Sequence, residues 1–138
     1  MSLANNAENN VLDAMLGTGQ VIGLFSAVWL GVSSTDPGET GAGSTEPSTG
    51  SYARVSVPAL TWAAASGGQK TTSSPLSFPE ATAQWLSGVP VAYWFLANSA
   101  TIGNTSSILL SGALAAGKVI DTGDTLRFNA GAIVISLD

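Results

Sequence analysis

The side chains that could do chemistry in this 138-residue sequence are nine carboxylates and four cations, with no histidine and no cysteine. Without imidazole, a serine nucleophile lacks its usual base, and no glycine-rich run ends in the Lys-Ser/Thr pair of a phosphate loop. Disulfides are excluded, and so are zinc and iron–sulfur sites, which draw on Cys and His. Only oxygen ligands remain, and these suit hard cations.

The carboxylates gather in two places, Asp36 with Glu39 and Glu46, and Asp121 with Asp124. A calcium site needs about six to eight converging oxygens, and neither group has the spacing of a dedicated loop. Residues 121–124 read instead as a tight turn in which Gly123 takes a positive φ. Glycoside hydrolysis needs a desolvated carboxyl beside a second in a cleft, and the pattern marks no such acid. No catalytic residue, metal or cofactor is expected. An indole can stack on a sugar ring, but three of the four tryptophans, Trp29, Trp62 and Trp94, sit in apolar strand contexts and read as core anchors. Trp85 and Tyr52 are the candidates for an exposed glycan contact.

Arg54, Lys70, Lys118 and Arg127 are scattered singly in a chain of net charge −5, which argues against nucleic acid. Charged residues make up 9% of the chain, well below the roughly 25% usual in soluble domains. Serine, threonine, alanine and glycine fill the difference. Such a surface suits contact with other subunits, because buried unpaired charge is costly, and composition alone equally suits a Ser/Thr-rich soluble domain. The most apolar stretch, 21–32, is interrupted by Gly23, Ser26 and Gly31 and falls short of the roughly 20 residues that span a bilayer, so no membrane insertion is expected. Residues 1–10 contain no Lys or Arg, which argues against a signal peptide.

These residues have to be positioned by one helix and a set of strands. Over 2–16, Leu3, Ala7, Val11, Ala14 and Met15 recur at spacings of three and four, with Leu12 and Leu16 widening the stripe and Glu8 and Asp13 opposite. Ser2 is the expected N-cap and Gly17 the stop. Beyond it, short runs rich in β-branched and aromatic residues predict strands at 24–32, 52–57, 61–64, 76–78, 91–97, 108–113, 118–120, 125–128 and 132–137. In 52–57 the alternation directs Ala53, Val55 and Val57 inward and Tyr52, Arg54 and Ser56 outward. The nearly continuous apolar run at 91–96 predicts a central strand covered on both faces, or with one face covered by a partner chain. Residues 36–51 read as a long loop reaching toward a partner, and Gly67-Gly68 as a turn within the polar segment 66–75. The expected fold is all-β: a two-sheet, jelly-roll-like β-sandwich of about eight strands (18–138), preceded by a short helical arm (1–17). No internal repeat or heptad run is present.

LANNAENNVLDAMLG at 3–17, GVSSTDPGETGAGSTEPSTGSYARVSV at 31–57, FPEATAQW at 78–85, LLSGAL at 109–114 and GDTLRFNAGAIVISLD at 123–138 resemble, in order over nearly the whole chain, a family of small tailed-bacteriophage virion structural proteins. Members typically open with an AEN-plus-leucine helix, pass through a TADP-type loop to GGYARV, and close on GDT, FxAG and a strand. In 19–25 this chain departs from that pattern by a shortened strand entry. The family includes head decoration, or cement, proteins and proteins labelled tail fibres. The resemblance implies a non-enzymatic virion component assembled in the host bacterial cytoplasm, with which the lack of cysteine is compatible. Of the two placements, capsid decoration is the first expectation: a homo-oligomer, as a homotrimer, on the outer capsid surface, binding the major capsid protein. Its gripping elements would be the helix, through Leu3, Val11 and Met15, and the loop, through Pro37, Glu39, Glu46 and Pro47. The alternative is a tail or tail-fibre component that meets a host glycan through Trp85 or Tyr52.

Overall fold

The computed structural model describes residues 2–16 and 27–136. In chain order the elements are β1 (Ser2–Leu3), α1 (Asn5–Leu16), β2 (Trp29–Ser33), β3 (Val55–Ser56), β4 (Gln69–Thr71), β5 (Leu76–Ser77), β6 (Val91–Ala97), β7 (Ile108–Lys118), β8 (Arg127–Phe128) and β9 (Val134–Ser136). Single 3-10 turns lie at Ala59–Thr61 and Thr105–Ser107, and Trp85–Gly88 forms a turn in which Leu86 and Ser87 take positive φ. The strands are antiparallel throughout. One sheet has the order β1-β7-β6-β2-β3, and two short ribbons pair β4 with β9 and β5 with β8.

The apolar run VAYWFLA explains why β6 lies at the centre of the sheet, since neither of its faces can be left to water. Its register with β2 pairs Leu30 with Leu96 and Val32 with Trp94 on one face. These four pack with Phe78, Trp85, Phe128 and Ile133 from the second layer to form the main core. The opposite face carries Phe95, Ala97 and Ile108 as a smaller cluster. The 36–51 loop lies over that face, with Gly41 against Ile108 and the Thr105 carbonyl, and Ser33 Oγ accepts from the N–H of Thr45 at 2.8 Å. The sheet is therefore covered on both sides, by the ribbons and turns on one and by a folded loop on the other.

Two glycines make the aromatic packing possible. Gly31 is opposite Phe95, whose ring lies where a Cβ would stand, and a Cβ on Gly112 would come within 2.7 Å of the Trp94 ring. Side chains at these points would push the rings out of a close-packed core.

The all-β class and the central strand at 91–97 agree with the sequence reading, while several boundaries do not. The helix starts at Asn5, because Ser2 and Leu3 pair with Ser111 and Leu110 of β7 as an edge strand and Ser2 is not a cap. The Ala4 carbonyl instead accepts the N–H groups of Ala7 and Glu8. Gly17 and the start of the strand expected at 24–32 lie outside the described residues. The run at 61–64 opens on a 3-10 turn set by Pro58, whose carbonyl accepts the Thr61 N–H at 2.9 Å. Residues 66–75, taken as a polar connection, contain β4, entered by the expected Gly67-Gly68 turn. The runs at 108–113 and 118–120 merge in β7 as far as Lys118, across an irregularity where five residues of β7 run past two of β6. The Asp121–Asp124 turn forms as read, with the Asp124 N–H on the Asp121 carbonyl at 3.0 Å and Gly123 at φ 89°.

Gly31→Ala tests this packing. It is expected to lower unfolding free energy by about 1–3 kcal/mol, read from denaturant midpoints, because Phe95 is fully buried and has no room to yield.

Candidate functional site

One carboxylate leaves the surface. Glu46 forms a two-pronged ion pair with Arg54, Nε to Oε1 and Nη2 to Oε2, each at 2.8 Å, and the two side chains are 4% and 0% exposed. The remaining guanidinium hydrogens reach the Ser99 carbonyl and Ser107 Oγ at 2.9 Å, and the cation lies 5.0 Å from the Phe95 ring centre. Glu46 Oε1 also accepts from the Tyr52 hydroxyl at 2.8 Å, and Oε2 accepts the Gly103 N–H at 2.9 Å. The Tyr52 oxygen in turn accepts the Val32 N–H at 3.2 Å. Burial, reinforced by the Glu46 charge, pushes the Tyr52 hydroxyl pKa far above the ordinary phenol range.

This arrangement inverts the expected alternation at 52–54, while Ser56 is exposed and Val57 buried as read. Tyr52 and Arg54 point inward and Ala53 outward, because each polar group finds a buried partner that no strand period encodes. It also changes the part played by the loop. Pro37 and Pro47 are fully buried and Glu46 is held by Arg54, so these three expected gripping residues serve the protein's own interior. Glu39 alone of the four has an exposed side chain, and its carbonyl accepts the Asn5 N–H at the start of α1. On the arm, Leu3 is half-buried opposite Leu110, Val11 is half-buried, and the side chain of Met15 lies outside the described set. The leucines that face water are Leu12 and Leu16.

The expected glycan contacts are also withdrawn from solvent. Trp85 is 1% exposed, its indole N–H donates to the Gly50 carbonyl at 3.1 Å, and Tyr52 meets it edge-on at 5.0 Å. Neither ring offers a face to a sugar. Trp62, taken as a core anchor, does pack against the main core, and it is half-buried and also lines a groove of about 300 Å³ with Val28, Ser56 and Pro58; Leu60, two residues earlier in the chain, is 92% exposed. Among the described residues no group of three or more acids, His or Cys could hold a metal, and no helix is long and apolar enough to cross a membrane. The large apolar side chains that stand exposed among the described residues are Leu12, Leu16, Leu60, Val89, Val119 and Val134.

The sequence carried no signal for the Glu46–Arg54 pair, whose members stand eight residues apart on irregular backbone. A weak signal for Leu60 existed in Pro58, which starts the turn that turns Leu60 outward.

Two substitutions probe the network. Glu46→Ala strands a buried guanidinium and is expected to destabilise the fold by about 3–5 kcal/mol in chemical denaturation. Tyr52 sets an alkaline limit. Below about pH 10 it is protonated whether folded or unfolded and adds no pH dependence; above that, only the unfolded chain releases the proton, so stability falls by up to about 1.4 kcal/mol per pH unit. Thermal melts between neutral pH and the alkaline range should show this slope in the wild type and a shallower one in Tyr52→Phe.

Over residues 2–136 the chain matches the family model Gp80, described as podophage GP4 fiber I protein gp80. No curated protein matches it.

Proposed function

Because the chain belongs to the podophage fibre protein family, and so to the structural proteins of the phage virion, we propose that it serves as a fibre subunit carried outside the particle, without enzymatic activity. The support for this placement is the family description, which names a fibre. It displaces capsid decoration as the first reading, and the geometry is compatible with it. A fibre subunit acts by holding shape and by contact, and this chain has a sheet covered on both faces, a loop tied down by a buried ion pair, and exposed apolar points on a charge-poor surface. The glycan role first given to Trp85 and Tyr52 passes to Trp62, the tryptophan in an open groove beside Leu60.

Capsid decoration, with the major capsid protein as partner, is kept as the second reading. It is favoured by the compact β domain, in which the described residues form no shaft-like repeat. The two readings differ in stoichiometry. Quantitative mass spectrometry of purified virions, referenced to the major capsid protein, should give a few copies per particle for a fibre subunit. Gold-labelled antibody should then mark appendages and not the shell. Hundreds of copies in fixed ratio to the capsid protein would overturn the fibre placement in favour of decoration.

A further inference from the structure

Glu8, Leu12 and Leu16 follow one another at intervals of four, so they form a single stripe about 12 Å long on α1. All three are exposed, Leu12 at 53% and Leu16 at 76%. Two leucines in water, four residues apart and headed by a carboxylate, are a ready-made contact stripe.

A groove on the same chain has the matching character. Toward the far end of β7, Leu114, Ala116, Leu126, Phe128 and Ala132 line a groove of about 340 Å³. Lys118 and Arg127 border it and, with Asp124, also border an adjoining polar hollow of about 190 Å³, so that two cations face one acid there. Of the chain's four cations, Arg54 is spent on Glu46 and Lys70 donates to the Ala63 carbonyl at 3.1 Å. Lys118 and Arg127 have no hydrogen-bond or ion-pair partner among the described residues, and both stand at this groove in a protein of net charge −5. The backbone beside it is open as well, since β1 pairs only with residues 110 and 111 and no described strand flanks 112–118 on the side away from β6.

We propose that the Glu8, Leu12 and Leu16 stripe of one copy seats in this groove of a second copy, the leucines on Leu114, Leu126 and Phe128 and the Glu8 carboxylate toward Lys118 and Arg127. The argument for a second copy is complementarity of both kinds, apolar to apolar and acid to base, between two surfaces of one sequence. Stripe and groove are different surfaces, so the contact is made reciprocally in a dimer or head to tail around a closed ring. The inference rests on the reading of the chain as an assembling virion subunit and adds where it assembles.

The test is sedimentation velocity of the full chain over a concentration series, with circular dichroism as the check on folding. The wild type should self-associate. Leu12→Asp with Leu16→Asp should be monomeric with an unchanged spectrum, as expected of exposed positions. Lys118→Glu with Arg127→Glu should raise the dissociation constant by at least about tenfold, and adding Glu8→Lys should restore association. A wild type that is monomeric throughout, an oligomer indifferent to both sets, or a charge reversal that Glu8→Lys does not rescue would overturn the proposal. Should the leucine variant unfold, the charge-reversal series decides alone. Virion labelling is independent of this result: a monomer in solution with label on appendages sinks the interface and leaves the fibre reading, and the reverse pattern does the opposite.

Discussion

The placement of a single buried charge constrains much of this structure. Arg54 has no water around its guanidinium, so every one of its demands has to be met from the protein. Glu46 comes from the long loop, Ser99, Asn104 and Ser107 from the turn between β6 and β7, and Phe95 from the central strand. Closing the network therefore pins the loop and the turn to the sheet at once. A buried ion pair adds little net stability over a well-packed apolar pair, but any arrangement that parts its members is heavily penalised. It acts less as a source of stability than as a strong bias toward one way of closing the loops.

From that constraint follows the second coat of the sheet. The 36–51 segment has the composition of a mobile connection, but with Glu46 committed to Arg54 it folds onto the face carrying Phe95, Ala97 and Ile108. Pro37, Pro47 and Gly41 then become interior positions. Tyr52 joins the two coats, its ring in the main core beside Trp85 and Phe78 and its hydroxyl on Glu46. The aromatic core and the polar network share this residue, so a disturbance in either should be felt in the other.

What is left outside is a surface with few cations, since of the described charged residues Arg54 and Glu46 are withdrawn into the interior. One cation is consumed in the interior and another on a carbonyl, and the remaining two share one end of the sheet. For a structural protein of a virion, such economy has a physical sense. Hydroxyls and small side chains lose little on being covered, whereas each stranded charge would oppose assembly. The large apolar residues that do stand in water among the described residues, Leu12, Leu16 and Leu60 with Val89, Val119 and Val134, are then the positions where contact brings the largest gain.

Much of this was legible in the residues themselves. The run VAYWFLA reads as a central strand, the turn chemistry of Gly67-Gly68 and of residues 121–124 is local, and the order of helix and strands follows from a change of hydrophobic period. Composition alone removes histidine and cysteine chemistry, and the ordered motifs resemble a phage virion structural family. Tertiary structure decided what depends on partners distant in sequence. The inward turn of Tyr52 and Arg54, the burial of Trp85, the folding down of the acidic loop and the exposure of Leu12 and Leu16 in place of Leu3 and Val11 were all settled there. Periodicity tells which residues share a face; it does not tell whether a charge on that face will meet its counter-ion, and here that pairing determined which side chains were left to meet the outside.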